Sequence, residues 1–144
     1  MLRGRFGNTS SAPYLECRVN FPRLGARGLV SFLVDTGADA TIFMPTDCRK
    51  MGVDFRTLRD PTVSRGIGGE AREFQELATL SFSDQTYVYT YVLKKSAIAE
   101  PTQGNPDIPS LLGRDILHKW RFVMERRANR VEFTPLAWDL QQKI

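Results

Sequence analysis

Apolar and polar side chains alternate with period two over much of this chain, and no long stretch keeps the 3.6-residue period of an amphipathic helix. Such alternation restricts a chain to strands with one buried face, so the sequence predicts a mainly β fold. Tyr14–Phe21 and Gly28–Val34 read as strands joined by Pro22-Arg23-Leu24-Gly25-Ala26-Arg27, whose Pro and Gly suit a hairpin loop. Thr62–Arg65 and the segment from Ala71 through Ala78, Leu80 and Phe82 predict a second hairpin, turning at Gly66-Ile67-Gly68-Gly69. Tyr87–Leu93 predicts a further strand, and Ala99–Pro109, with three prolines and a glycine, a loop. Ile108–Leu112 predicts a buried strand ending at Gly113, and Phe122–Glu125 with Arg130–Phe133 a last hairpin turning near Ala128-Asn129. Helical signals are confined to two short pieces, Pro45–Gly52 and Arg114–Lys119.

A length of 144 residues with 42% hydrophobic and 25% charged side chains suits one domain with a modest core. Val34, Ile42, Phe43, Leu80, Phe82, Val92 and Leu112 are its expected members. We expect a flexible N-terminal segment over 1–13, a folded domain over 14–134, and a C-terminal tail over 135–144. In that tail Leu136, Trp138 and Leu140 alternate, which fits a strand of a dimer interface or a self-packed or disordered end. The longest apolar run is far short of a membrane span, and Met1–Pro13 lacks the apolar core of a signal peptide. The expectation is a soluble, cytoplasmic chain without a membrane partner. Cys17 and Cys48 show neither CxxC nor Cys/His spacing, so they predict packing residues and no metal site. The net charge of +4 and the Arg126, Arg127 and Arg130 cluster could attract nucleic acid. No interleaved aromatics accompany those arginines, so they read as a solvated hairpin tip and not as a nucleic-acid site.

The chemistry concentrates where the apolar run Phe32-Leu33-Val34 meets Asp35-Thr36-Gly37. One such tripeptide delivers one carboxylate to a tight turn. Activating water against a peptide bond takes two, one ionised as base and one protonated as acid, held so close that they cannot both ionise. Asp occurs again at 39, 47, 54, 60, 84, 107, 115 and 139, never followed by Thr-Gly or Ser-Gly. If the motif is catalytic, its partner is Asp35 of a second identical chain, related by a two-fold axis. Two rival readings fail on context. Gly66-Ile67-Gly68-Gly69-Glu70-Ala71 satisfies a dinucleotide fingerprint, but a dinucleotide fold needs a helix after the glycines, where this sequence alternates with period two. His118 is the only histidine, and no nucleophile context accompanies it for a Ser/His/Asp or Cys/His mechanism.

Three motifs in order, Asp35-Thr36-Gly37-Ala38-Asp39, Gly66-Ile67-Gly68-Gly69 and Leu111-Leu112-Gly113-Arg114-Asp115, give a chain that resembles the retropepsins, the single-domain aspartic proteases of retroviral type. The resemblance runs from about Tyr14 to Phe133. It implies a closed β-barrel or sandwich with a flap hairpin and one or two short helices. It also implies a homodimeric aspartic endopeptidase that acts on polypeptides and needs neither metal nor cofactor. By the same resemblance Asp35 is catalytic, with Thr36, Gly37 and Ala38 completing the active-site loop. Gly37, Asp39, Ile67, Gly68, Pro109 and Leu111 would contact substrate, and an Asp39–Arg114 ion pair would brace the loop. The alternative is the same fold serving as a non-catalytic peptide-binding or dimerisation module.

Overall fold

A computed structural model describes residues 1–66, 69–104 and 107–144, with backbone alone at 64–66. Its strands are β1 (Leu2–Arg3), β2 (Arg5–Phe6), β3 (Pro13–Phe21), β4 (Ala26–Val34), β5 (Ile42–Phe43), β6 (Pro61–Gly66), β7 (Gly69–Ser83), β8 (Tyr87–Ala99), β9 (Leu111–Leu112), β10 (Trp120–Glu125), β11 (Arg130–Pro135) and β12 (Leu140–Lys143). Two short helices, α1 (Pro45–Met51) and α2 (Arg114–Leu117), and a single 3-10 turn at Phe55–Thr57 interrupt them. The main sheet runs β12-β8-β5-β9-β4-β3-β7-β6, and because β7 also pairs with β8 it closes on itself as a barrel. Closure leaves few free edges, which otherwise invite pairing with other chains. A smaller sheet, β1-β11-β10, stacks on the barrel through Trp120, which meets Phe82 edge-on with ring centroids 4.8 Å apart and, within its own sheet, Phe133 at 5.2 Å. Trp120 Nε1 donates to the Tyr91 hydroxyl (2.7 Å), which in turn donates to the Ala137 carbonyl (2.7 Å), so no polar atom of this aromatic cluster is stranded.

The inward faces follow from period two. In β7, Ala78, Leu80 and Phe82 are buried, as their alternation predicts. In β8 the inward positions belong to Tyr89 and Tyr91, which leaves Val92 42% exposed and not in the core where the sequence places it. Val34, Phe43 and Leu112 are buried and Ile42 is half-buried. Cys17 and Cys48 are buried free thiols, and burial, reinforced by the neighbouring Asp47 carboxylate, pushes the Cys48 thiol up to about 12.

Several boundaries move. Strand β8 continues six residues beyond Leu93, because Lys94 and Lys95 are carried in a bulge opposite Leu77 and pairing with β7 resumes at Ser96. Strand β9 is only Leu111–Leu112: Pro109 has no N–H to give a ladder, and Ile108 is 43% exposed. Residues 1–13, expected as a flexible lead, contribute β1 against β11 and β2 against β3, with Leu2 buried in the core. The tail folds back on its own chain, where β12 pairs with β8, Trp138 packs on Tyr89 (5.3 Å) and the Asp139 carboxylate accepts the Val92 N–H (2.7 Å). No helix among the described residues is long and apolar enough to cross a membrane.

Candidate active site

Strand β9 inserts between β4, with which it runs parallel, and β5, with which it runs antiparallel. Leu33 pairs with Leu111 and Val34 with Leu112, so the end of β4 is held on the side that leads to Asp35. The Leu33 N–H reaches the Ser110 carbonyl (2.9 Å) and the Asp35 N–H the Leu112 carbonyl (3.0 Å). The chain then doubles back. Gly37 N–H donates to Asp35 Oδ1 (2.9 Å) and Ala38 N–H to the Asp35 carbonyl (3.2 Å), an Asx-type turn that fixes the carboxylate by one oxygen. Oδ2 has no hydrogen-bond partner among the described residues. Asp35 is half-buried, whereas Thr36 and Gly37 stand exposed at the crest of the turn.

Beneath this turn lies the start of α2. A Cβ at Gly113 would stand 2.5 Å from the Ala40 carbonyl carbon and 2.6 Å from its oxygen, so only glycine lets the two backbones approach this closely. Arg114 N–H donates to the Ala38 carbonyl (2.9 Å), and the Arg114 side chain spreads over the loop: Nη1 donates to the Thr36 carbonyl (2.6 Å) and Nη2 to Asp39 Oδ1. The two charges meet at the surface. Asp39 is 92% exposed, and the guanidinium divides itself between that side chain and the backbone. So exposed a pair positions the loop and adds little stability.

A second brace, to which the sequence reading assigns no role, lies deeper, with Thr41 buried and Asp115 half-buried. Thr41 Oγ1 donates to Asp115 Oδ1 (2.7 Å), Thr41 N–H to Asp115 Oδ2 (2.9 Å), and Thr41 Oγ1 accepts the Gly113 N–H (3.1 Å). A third runs from α1: Asp47 Oδ2 accepts from the Ser110 hydroxyl (2.6 Å), and Ser110 Oγ accepts the Met44 N–H (2.9 Å). Asp115 ends the Leu-Leu-Gly-Arg-Asp motif, which was its one sequence signal. Thr41, Ser110 and Asp47 carry none.

Of the other expected contact residues, Leu111 is half-buried between Leu33 and Ile42, and Pro109 is half-buried just before it. Ala38 is half-buried in the turn itself. Ile67 and Gly68 lie outside the described residues, and the hairpin that leads to them is β6–β7, paired from Pro61↔Phe74 to Gly66↔Gly69. Among the described residues no three His, Cys, Asp or Glu side chains gather where they could hold a metal ion.

The arrangement matches known proteins by family and by fold. The model of a family described as aspartyl protease covers residues 25–116. In fold, the chain is similar to a retropepsin-like aspartic protease from Rickettsia conorii, with a TM-score of 0.52 and 20% identity over 91% of this chain and 86% of that one. It is likewise similar to the EIAV protease complexed with the inhibitor HBY-793, with a TM-score of 0.50 and 20% identity over 78% of this chain and 90% of that one. No curated protein sequence gives a significant match.

Proposed function

Because this chain belongs to the aspartyl protease family and has a retropepsin-like fold, we propose that it is an endopeptidase whose active site forms when two copies meet across a two-fold axis at Asp35. The observation that carries this reading is the turn itself. It offers one half-buried carboxylate, tied by Oδ1 to Gly37 and open at Oδ2, beside the exposed crest of Thr36 and Gly37, in a chain with no second Asp-Thr-Gly. An isologous contact at Thr36 and Gly37 would bring the two Oδ2 atoms to either side of one water.

Two carboxylates that close share a proton. The ionised one takes a proton from water as its oxygen attacks the peptide carbonyl, and the protonated one gives its proton to the carbonyl oxygen. The tetrahedral adduct then returns a hydroxyl proton to a carboxylate while the departing nitrogen receives one, and the C–N bond breaks. In this scheme Thr36 ties the two loops together across the axis, and Gly37 and Asp39 hold substrate backbone. Ala38 leaves room beside the carboxylate, and Pro109 and Leu111 form an apolar wall. Ile67 and Gly68 are the remaining proposed contacts to the peptide.

Asp35→Asn tests the reading. The amide oxygen can still accept the Gly37 N–H, so the fold and melting temperature should be unchanged while cleavage of a peptide library falls by about 10³-fold or more. Equal cleavage by both proteins would refute the mechanism. Peptide binding without cleavage by the wild type would point instead to a binding module.

A further inference from the structure

The bulge in β8 has a consequence unconnected with Asp35. Glu76 pairs with Ser96 and Ala78 with Leu93, so Leu77 alone faces both Lys94 and Lys95. In a regular strand two successive lysines project to opposite faces. Here both line one hollow of about 250 Å³, together with Arg59, Asp60, Gln75 and Leu77. Bulges of this kind re-aim side chains. The floor is already neutralised, because Arg23 meets the buried Glu76 carboxylate through Nε (3.1 Å to both oxygens) and Nη2 (2.6 Å). That leaves three cations against the single carboxylate of Asp60, a surplus of two positive charges. The side chains of Arg59, Lys94 and Lys95 make no hydrogen bond or ion pair with any described residue. The opposite wall is equally fixed: Asp60 holds a left-handed backbone (φ 53°), and its carbonyl accepts the Gln75 N–H (3.2 Å).

We propose that this hollow is a binding site for a phosphate-class anion carrying two or more negative charges. Three cations line this one hollow from two stretches of the chain, and an oxyanion with several acceptor oxygens would be held there by their combined charge. An arginine and two lysines suit phosphate better than a carboxylate, since they supply donors around a tetrahedral ligand. The site lies at the root of the β6–β7 hairpin, between the residues leading into β6 and the bulge of β8. A bound anion would therefore join the two elements between which that hairpin emerges. The proposal does not depend on proteolysis, and its test uses no substrate.

The test is an NMR titration of the whole chain with inorganic phosphate and with tripolyphosphate, at ionic strength held constant with sodium chloride. Saturable shifts are expected at the Asp60, Gln75, Lys94 and Lys95 amides, with tripolyphosphate the tighter ligand. The double variant Lys94→Gln/Lys95→Gln should weaken binding about tenfold or more, and Arg59→Gln, which lies outside any strand, should do so without touching the bulge. Arg121→Gln, on β10, should bind as wild type. Non-saturating drift equal to that in chloride, or affinity unchanged in both the double variant and Arg59→Gln, would overturn the proposal.

Discussion

Two arginines of this protein meet carboxylates in opposite settings. Arg114 at the Asp35 turn and Arg23 beside the β8 bulge are almost equally exposed, 32% and 34%, but their partners are not: Asp39 is 92% exposed and Glu76 only 3%. Both arginines also bind backbone, Arg114 the Thr36 carbonyl and Arg23 the Thr57 carbonyl (3.1 Å). What separates the pairs is where the carboxylate goes when the arginine is removed. Asp39 returns to water. Glu76 is left charged in the protein interior, which is far more costly than the pair itself was worth. The first pair therefore shapes a loop, and the second holds the fold together at the base of the hairpin.

The contrast can be broken by experiment. Arg23→Ala should give the largest loss of stability in denaturant unfolding, because it leaves the buried Glu76 carboxylate without its partner. A loss no larger than that of Arg114→Ala would show that Glu76 finds another partner, and the distinction would fail. Thr41→Val tests the deeper brace beneath the exposed one: it strips a donor from Asp115 and an acceptor from the Gly113 N–H, for about 1–3 kcal/mol. Arg114→Ala should cost less than about 1 kcal/mol of stability, yet lower cleavage, because the turn loses its tie at Thr36. Asp39→Ala should be milder still in stability, within about 0.5 kcal/mol, and under the proposed role should raise KM more than it lowers kcat. If Arg114→Ala and Arg23→Ala unfold alike, burial of the acid is not what distinguishes them.

What could be read from the sequence was local. The β3–β4, β6–β7 and β10–β11 hairpins follow from alternation and turn residues within a few positions of one another, and Asn129, with a left-handed φ of 53°, sits where the last turn was placed. Lys94-Lys95 interrupts the apolar pattern of β8, so alternation ends at Leu93, and a bulge is a device of pairing that one strand alone does not reveal. The two-residue strands β1, β2, β5 and β9 are too short to carry a period at all. The site divides in the same way. Asp35, Asp39 and Arg114 stand in recognisable motifs, whereas the Thr41–Asp115 and Ser110–Asp47 contacts join residues more than sixty positions apart and depend on β9 threading between β4 and β5.

The central claim is that Asp35 is half of an active site. The most direct measurement mixes wild type with Asp35→Asn chains at constant total concentration, allows subunits to exchange, and follows peptide cleavage against the wild-type fraction. A dyad shared between chains predicts a fall with the square of that fraction, to about a quarter of full activity at equal mixing. A linear fall, to about half, would mean that each chain works alone, and would contradict the account.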